Sequence, residues 1–207
     1  MIITLAEYER IYGVIHSVLK NENADTNKAC SLYNTFGACI LSEHYKIPAK
    51  VYSGFAVFHL GDEHILGFGA IQDKHLSATT EEFHTWIEVD GWFIDFMAPE
   101  FPNVLTEQGK QNNIPRKMMQ KKITHMADSL DSITRQGDYM AIPDKAVTES
   151  IMSSIESKIG YIDLMEICNR WYNKKPKKMP KTIGISDEKG QVNQVLLDYG
   201  SSLVGAW

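Results

Sequence analysis

HTWIEVDGWFIDF, residues 84–96, is the stretch on which the reading of this chain turns. Asp90-Gly91 is a strong hairpin signal, because a two-residue type I′ turn needs positive φ at both central positions. With that turn Val89 faces Trp92, Glu88 faces Phe93, Trp86 faces Asp95 and His84 faces Met97. Residues directly opposite one another point to the same side of a sheet. His84, Trp86, Glu88, Phe93, Asp95 and Met97 therefore share one face, with His84 and Asp95 as diagonal neighbours. A carboxylate in that place fixes the tautomer of the imidazole and steadies its protonated form. A one-residue slip would send the two to opposite faces, so turn length decides whether a site exists.

A nucleophile is sought upstream. Cys30 stands in the first turn of a helix predicted over 28–45, KACSLYNTFGACILSEHY, after the cap-rich run Asp25-Thr26-Asn27. The partial positive charge at a helix N-terminus favours the nucleophilic thiolate. Cys39 is half a turn around the helix and reads as a small buried hydrophobe, as does Cys168 in LMEICNRW. Three cysteines, an odd number, argue against a disulfide framework. Cys30 is the one in an activating position.

The remaining pattern is ordinary. Leu5, Tyr8, Ile11, Tyr12, Ile15, Val18 and Leu19 follow helical spacing over 4–20, and 21–27 is a polar break. Ile47-Pro48-Ala49 ends the second helix. Strands are predicted over 50–60 and 63–71 around a Gly61-Asp62 turn, which would put Gly54, Ala56, Gly67 and Gly69 on one face and set His59 opposite His64. Residues 72–82 read as loop and 83–97 as the second hairpin. Residues 101–113 read as loop, and helical patterns follow near 115–130, 144–158 and 161–173. The basic stretch 173–181 reads as a solvated connector, and 182–207 as one or two strands.

At 207 residues the chain suits one domain, with a core over 1–100 and a mainly helical elaboration over 101–207. A net charge of −5 argues against nucleic acid as the main partner. Glu7, Glu9 and Arg10 interrupt the apolar pattern of the N-terminus, so it does not read as a signal peptide, and no stretch reads as a membrane span. A cytoplasmic protein without cofactor or metal is expected.

Taken in order, Cys30, Ile47-Pro48-Ala49, Ser53-Gly54-Phe55, His84, Trp86, Glu88-Val89, Gly91-Trp92 and Asp95 resemble the core of the transglutaminase-like branch of the papain-like superfamily. The resemblance covers roughly residues 25–97. It departs from the family pattern at Ala29, where a glycine is usual, and at Phe96, where a proline often stands. It implies an α+β, papain-like fold, in which an antiparallel sheet packs on the helix bearing the cysteine. It implies a Cys30–His84–Asp95 triad acting on a peptide, protein or small acyl substrate through a thioester, by hydrolysis of an amide or isopeptide bond or by transfer to an amine. The Cys30 N–H would supply one oxyanion donor. Asn27, and behind it Asn23, are candidates for the second, and Trp86 for a substrate contact. Two competing readings stand beside this one: a zinc site from Cys30, His84 and Asp95, and an inactive papain-like binding module.

Overall fold

Thr4 opens the first helix. Its side chain accepts the Glu7 N–H while the Glu7 carboxylate accepts the Thr4 N–H, a reciprocal cap. From there α1, Leu5–Asn21, buries Tyr8, Ile11, Tyr12, Ile15 and Val18 along the predicted stripe. Asp25 caps a 3₁₀ turn, Thr26–Lys28, which leads into α2, Cys30–Ile40. A π-helical turn, Leu41–Tyr45, continues α2 and stops at Lys46, whose φ of 59° is left-handed. The computed structural model describes residues 1–72, 75–187 and 189–207.

Six strands follow: β1 Lys50–Gly61, β2 His64–Phe68, β3 Ala70–Gln72, β4 His75–Ser77, β5 His84–Val89 and β6 Trp92–Asp95, of which β3 and β4 form a small sheet of their own. The second half adds α3 Phe101–Glu107, β7 Met119–Lys122, β8 Tyr139–Pro143, α4 Lys145–Glu156, α5 Ile159–Trp171, β9 Thr182–Ser186 and β10 Val192–Leu196. The result is an α+β protein. Its main antiparallel sheet runs β2-β1-β5-β6-β7, with β8 also on β1. Gly54 pairs with both His84 of β5 and Pro143 of β8, and Ala56 with both Phe68 of β2 and Ala141 of β8. Hence β2 and β5 lie end to end along one edge of β1, and β8 lies along the other. The seam between β2 and β5 holds His84.

α2 lies on this sheet and α1 on α2. Gly37 is where the helix comes closest to the chain after β6, since a Cβ there would sit 2.2 Å from the Phe96 ring. A buried polar knot anchors the tail: the Glu100 carboxylate accepts from Tyr12 and from Arg116 Nη2, and Arg116 Nη1 donates to Tyr199 O at 2.9 Å and Ser201 O at 2.7 Å.

The second hairpin has the predicted register, Val89↔Trp92 and Glu88↔Phe93, with Asp90 and Gly91 at φ 49° and 75°. The first does not. Gly61 pairs with His64 across a bulge, which shifts the ladder so that Phe68, not Gly67, faces Ala56. Gly67 faces Val57 and so leaves the predicted face. His59 faces Ile65 and is buried, so the predicted His59–His64 pair does not form.

The second half is less helical than expected. β7 replaces the helix near 115–130, since β6 leaves an edge open and strand formation depends on such a partner more than on intrinsic preference. β8 forms where the sequence pattern predicts no strand. Residues 101–107 are helical, with Pro102 in the first turn where its missing N–H costs nothing. β4 forms in the predicted 72–82 loop and pairs with β3, at the end of the predicted 63–71 strand; residues 73 and 74 of that loop lie outside the described residues, as does residue 188 of the tail. No helix of the described residues is long and apolar enough to cross a membrane.

Candidate active site

Cys30, His84 and Asp95 come from three elements: the first residue of α2, the first of β5 and the last of β6. His84 and Asp95 are 0% exposed and Cys30 is 5% exposed. His84 Nε2 and Asp95 Oδ2 are 2.6 Å apart, the diagonal contact the hairpin register sets. His84 Nδ1 is buried and has no hydrogen-bond partner. The Cys30 thiol is close enough to that ring to favour its charged form, and it faces the Thr85 hydroxyl at 3.9 Å. Phe68 of the shifted hairpin stacks on the imidazole, ring centroids 4.2 Å apart.

Asp95 is held from its other oxygen. Oδ1 accepts from Asn34 Nδ2 and from the Met97 N–H, both at 2.9 Å. Asn34 is itself fully buried. Its Nδ2 also reaches Cys30 O at 3.1 Å and Thr85 O at 2.7 Å, and its Oδ1 accepts the Phe96 N–H at 2.9 Å. This amide thus ties all three elements together. Proline at 96 would remove the donor that Asn34 uses, so Phe96 and Asn34 belong to one arrangement. Thr85, in turn, shares a 2.9 Å hydrogen bond with Ser53.

Burial opposes charge on His84. The Asp95 carboxylate in contact with it, helped by Cys30, outweighs that, and the His84 imidazole pKa rises to about 9. A raised folded-state pKa stabilises the protein below the unfolded value of about 6.5 and ceases to do so as pH rises through about 9. The difference corresponds to about 3 kcal/mol. Denaturant melts should therefore show stability falling by that order between pH 6 and pH 10. His84→Gln should remove the fall. An equal fall in both proteins would mean that other groups cause it.

Of the weaker candidates, Asn27 lines the cleft that Cys30 opens onto, but its Nδ2 already donates to Glu107 at 2.5 Å. Asn23 is not at the site. It is exposed in the turn after α1, with φ 55°, and its N–H bonds to Lys20 O. Trp86 is not at the cleft either. It is fully buried against Phe93, with its indole N–H on Glu88 at 3.0 Å, so it is core. Asn34 escaped sequence reading, although its i+4 spacing from Cys30 put it on the same side of the helix. Thr85 escaped because a hydroxyl on a strand carries no pattern of its own.

The cleft has a volume of about 610 Å³. A larger hollow of about 860 Å³, lined by Leu60, His64 and Gln111 among others, contains none of the three residues. Among the described residues no group of three His, Cys, Asp or Glu side chains converges as metal ligands. His84 Nε2, moreover, is already engaged by Asp95.

The fold and cluster together define an α+β protein with a cysteine, a histidine and an aspartate gathered at one end of its sheet. Residues 4–207 match the family described as "Protein of unknown function (DUF2026)", and the chain belongs to that family. It is also similar to the crystal structure of a genomics target, with 34% sequence identity and a TM-score of 0.88, covering 100% of this chain and 98% of that one. No curated protein matches it.

Proposed function

We propose that this protein is a thiol-dependent acyl-transfer enzyme with a papain-like, transglutaminase-like core, hydrolysing an amide or isopeptide bond through Cys30, His84 and Asp95. One observation carries the reading. A fully buried histidine is clamped by a carboxylate on Nε2, while its other nitrogen stands unpartnered beside a cysteine at a helix N-terminus that opens on a cleft. Leaving the nitrogen of a fully buried histidine unpaired costs about 1–3 kcal/mol, and a proton-holding role beside Cys30 accounts for that cost.

In the reaction the Cys30 proton is held on His84 Nδ1, whose raised pKa favours the imidazolium, and the sulfur attacks the acyl carbon. The imidazolium then gives that proton to the departing amine, leaving a thioester. Water adds, His84 takes its proton, and the acid departs as the thiol re-forms. The first turn of α2 has no side-chain cap, so the Cys30 N–H is free to face the oxyanion. An amine in place of water would give transfer instead. The three thiols are unpaired, which suits the reducing cytoplasm.

Alkylation by iodoacetamide near pH 7, mapped by peptide mass, tests this. Burial raises the pKa of the Cys39 thiol and raises that of Cys168 well above its usual range. Cys30 should react at least about tenfold faster than either. His84→Ala should slow it to the rate of a plain thiol. Fastest labelling at Cys39, or no effect of the His84 substitution, would overturn the assignment and leave a binding module.

A further inference from the structure

The cleft carries a second feature that the triad does not use. β2 is the terminal strand of the sheet path, and its backbone alternates in direction. The N–H of His59 donates to Asp138 O and its carbonyl accepts from Gly137, so His59 turns its polar groups away from β2. Its partner Ile65 must then turn away from β1, as the Lys110 contact to Ile65 O confirms. Two residues on, Gly67 does the same. Its N–H and C=O therefore point off the sheet edge, and among the described residues neither has a partner. Gly67 also lines the cleft beside Cys30.

A glycine here is unexplained by the fold. It is in a strand, where glycine weakens the structure, its φ is not positive, and a Cβ would meet nothing within 4 Å. What it leaves is an open backbone edge next to a nucleophile. The cleft walls add a chemical preference. Half-buried Phe68 and Phe83 give it apolar surface, while Glu81, Glu82 and Glu107 bring three exposed carboxylates. Among the described residues none of the three has a cation within salt-bridge distance. The one lysine in the lining, Lys28, is paired with Asp25 at 2.8 Å.

We propose that this cleft binds its substrate as an extended basic peptide. The peptide main chain pairs with the N–H and C=O of Gly67, and a lysine or arginine lays its aliphatic stem on the phenylalanines with its charge among the three glutamates. Strand addition to an open edge supplies affinity without sequence demand, and a long cationic side chain fits a surface that is apolar within and acidic at the rim. The inference rests on the thiol-enzyme reading for what happens to the peptide, but docking can be measured without chemistry.

The test uses full-length protein carrying Cys30→Ala and blocked, alanine-based hexapeptides in which a single Lys or a single Glu is moved through each position. At one or more positions the Lys peptide should bind at least about tenfold tighter than its Glu counterpart, with the preference shrinking as salt rises. Glu81→Lys with Glu82→Lys should cancel or invert the preference. Gly67→Pro removes the N–H at an edge position that tolerates proline, and should weaken Lys and Glu peptides alike by about tenfold. A peptide N-methylated at successive amides makes the same test from the ligand side should that variant fail to fold. Equal binding of the Lys and Glu series, or a preference untouched by the charge reversal, would overturn the basic specificity. Full affinity after both Gly67→Pro and N-methylation, or n-butylamine binding as tightly as the best peptide, would overturn the peptide mode. Because native Cys30 labelling is measured separately, failure of docking and failure of the thiol reading are told apart.

Discussion

Asp95→Asn is expected to lower turnover by on the order of 10³–10⁴-fold while the protein stays folded, as the equivalent change does in the serine-protease triad. The hydrogen bonds around Asp95 dictate the outcome. Its Oδ1 accepts from two fixed donors, Asn34 Nδ2 and the Met97 N–H. An asparagine must keep its oxygen there, so its NH₂ group turns to His84 Nε2. That nitrogen must then accept, and the imidazole proton moves to Nδ1, the position that should receive the thiol proton. The base is thereby disabled without a change of size. Alkylation of Cys30 should slow in parallel, and the melting temperature should move little. Cys30→Ser should abolish turnover with an equally small effect on stability. Acyl-peptide, isopeptide and ester substrates screened with the native protein supply the assay, and an added mass on Cys30 after acid quench reports the thioester directly. Native turnover in both variants would leave the cluster with a structural role only.

The parts of this site that could be read from sequence are those that local rules fix. Asp90-Gly91 sets a two-residue turn, the turn sets the register, and the register brings His84 to Asp95. Cap residues at 25–27 followed by an apolar helical pattern placed Cys30 at a helix start, α1, α4 and α5 followed from their own periodicity, and the tail expected to hold one or two strands carries β9 and β10. What failed was non-local. The bulge between His59 and Gly61 has no signal in the local sequence, and it moved Phe68 onto His84 and turned Gly67 outward. β7 and β8 are strands because β6 and β1 offered open edges, a fact absent from residues 118–143 themselves. Trp86 and Asn23 were misplaced by reading a shared face or a nearby position as a shared cleft. Trp86 does share His84's face, but it is packed against Phe93 and fully buried, away from the cleft.

The largest expected effect on stability is at Asn34. Asn34→Ala should cost about 3–5 kcal/mol, a large fraction of the 5–15 kcal/mol typical of a domain. The Phe96 N–H loses its acceptor. Thr85 O lies beyond Ile87↔Ile94, the last β5–β6 pair, and loses the amide that serves it. Each buried group left unpaired costs about 1–3 kcal/mol, and the vacated volume adds to it. Asn34→Asp separates the causes. It keeps an acceptor for Phe96 and nearly the same shape, but sets a second carboxyl against Asp95 Oδ1 in a fully buried site. Burial and the neighbouring carboxylate must raise the pKa of the introduced group above its unfolded value of about 3.9. A carboxyl raised on folding destabilises as pH climbs from the unfolded value to the folded one, so this variant should approach the native protein near pH 4 and fall away toward neutrality. The alanine variant should show no such added slope. Denaturant melts at pH 4, 5.5 and 7 measure all three proteins. A loss below about 1 kcal/mol for Asn34→Ala, or parallel pH profiles for the two variants, would mean that the amide does not hold α2 to the β5–β6 hairpin, and the alignment of Cys30 with His84 would need another cause.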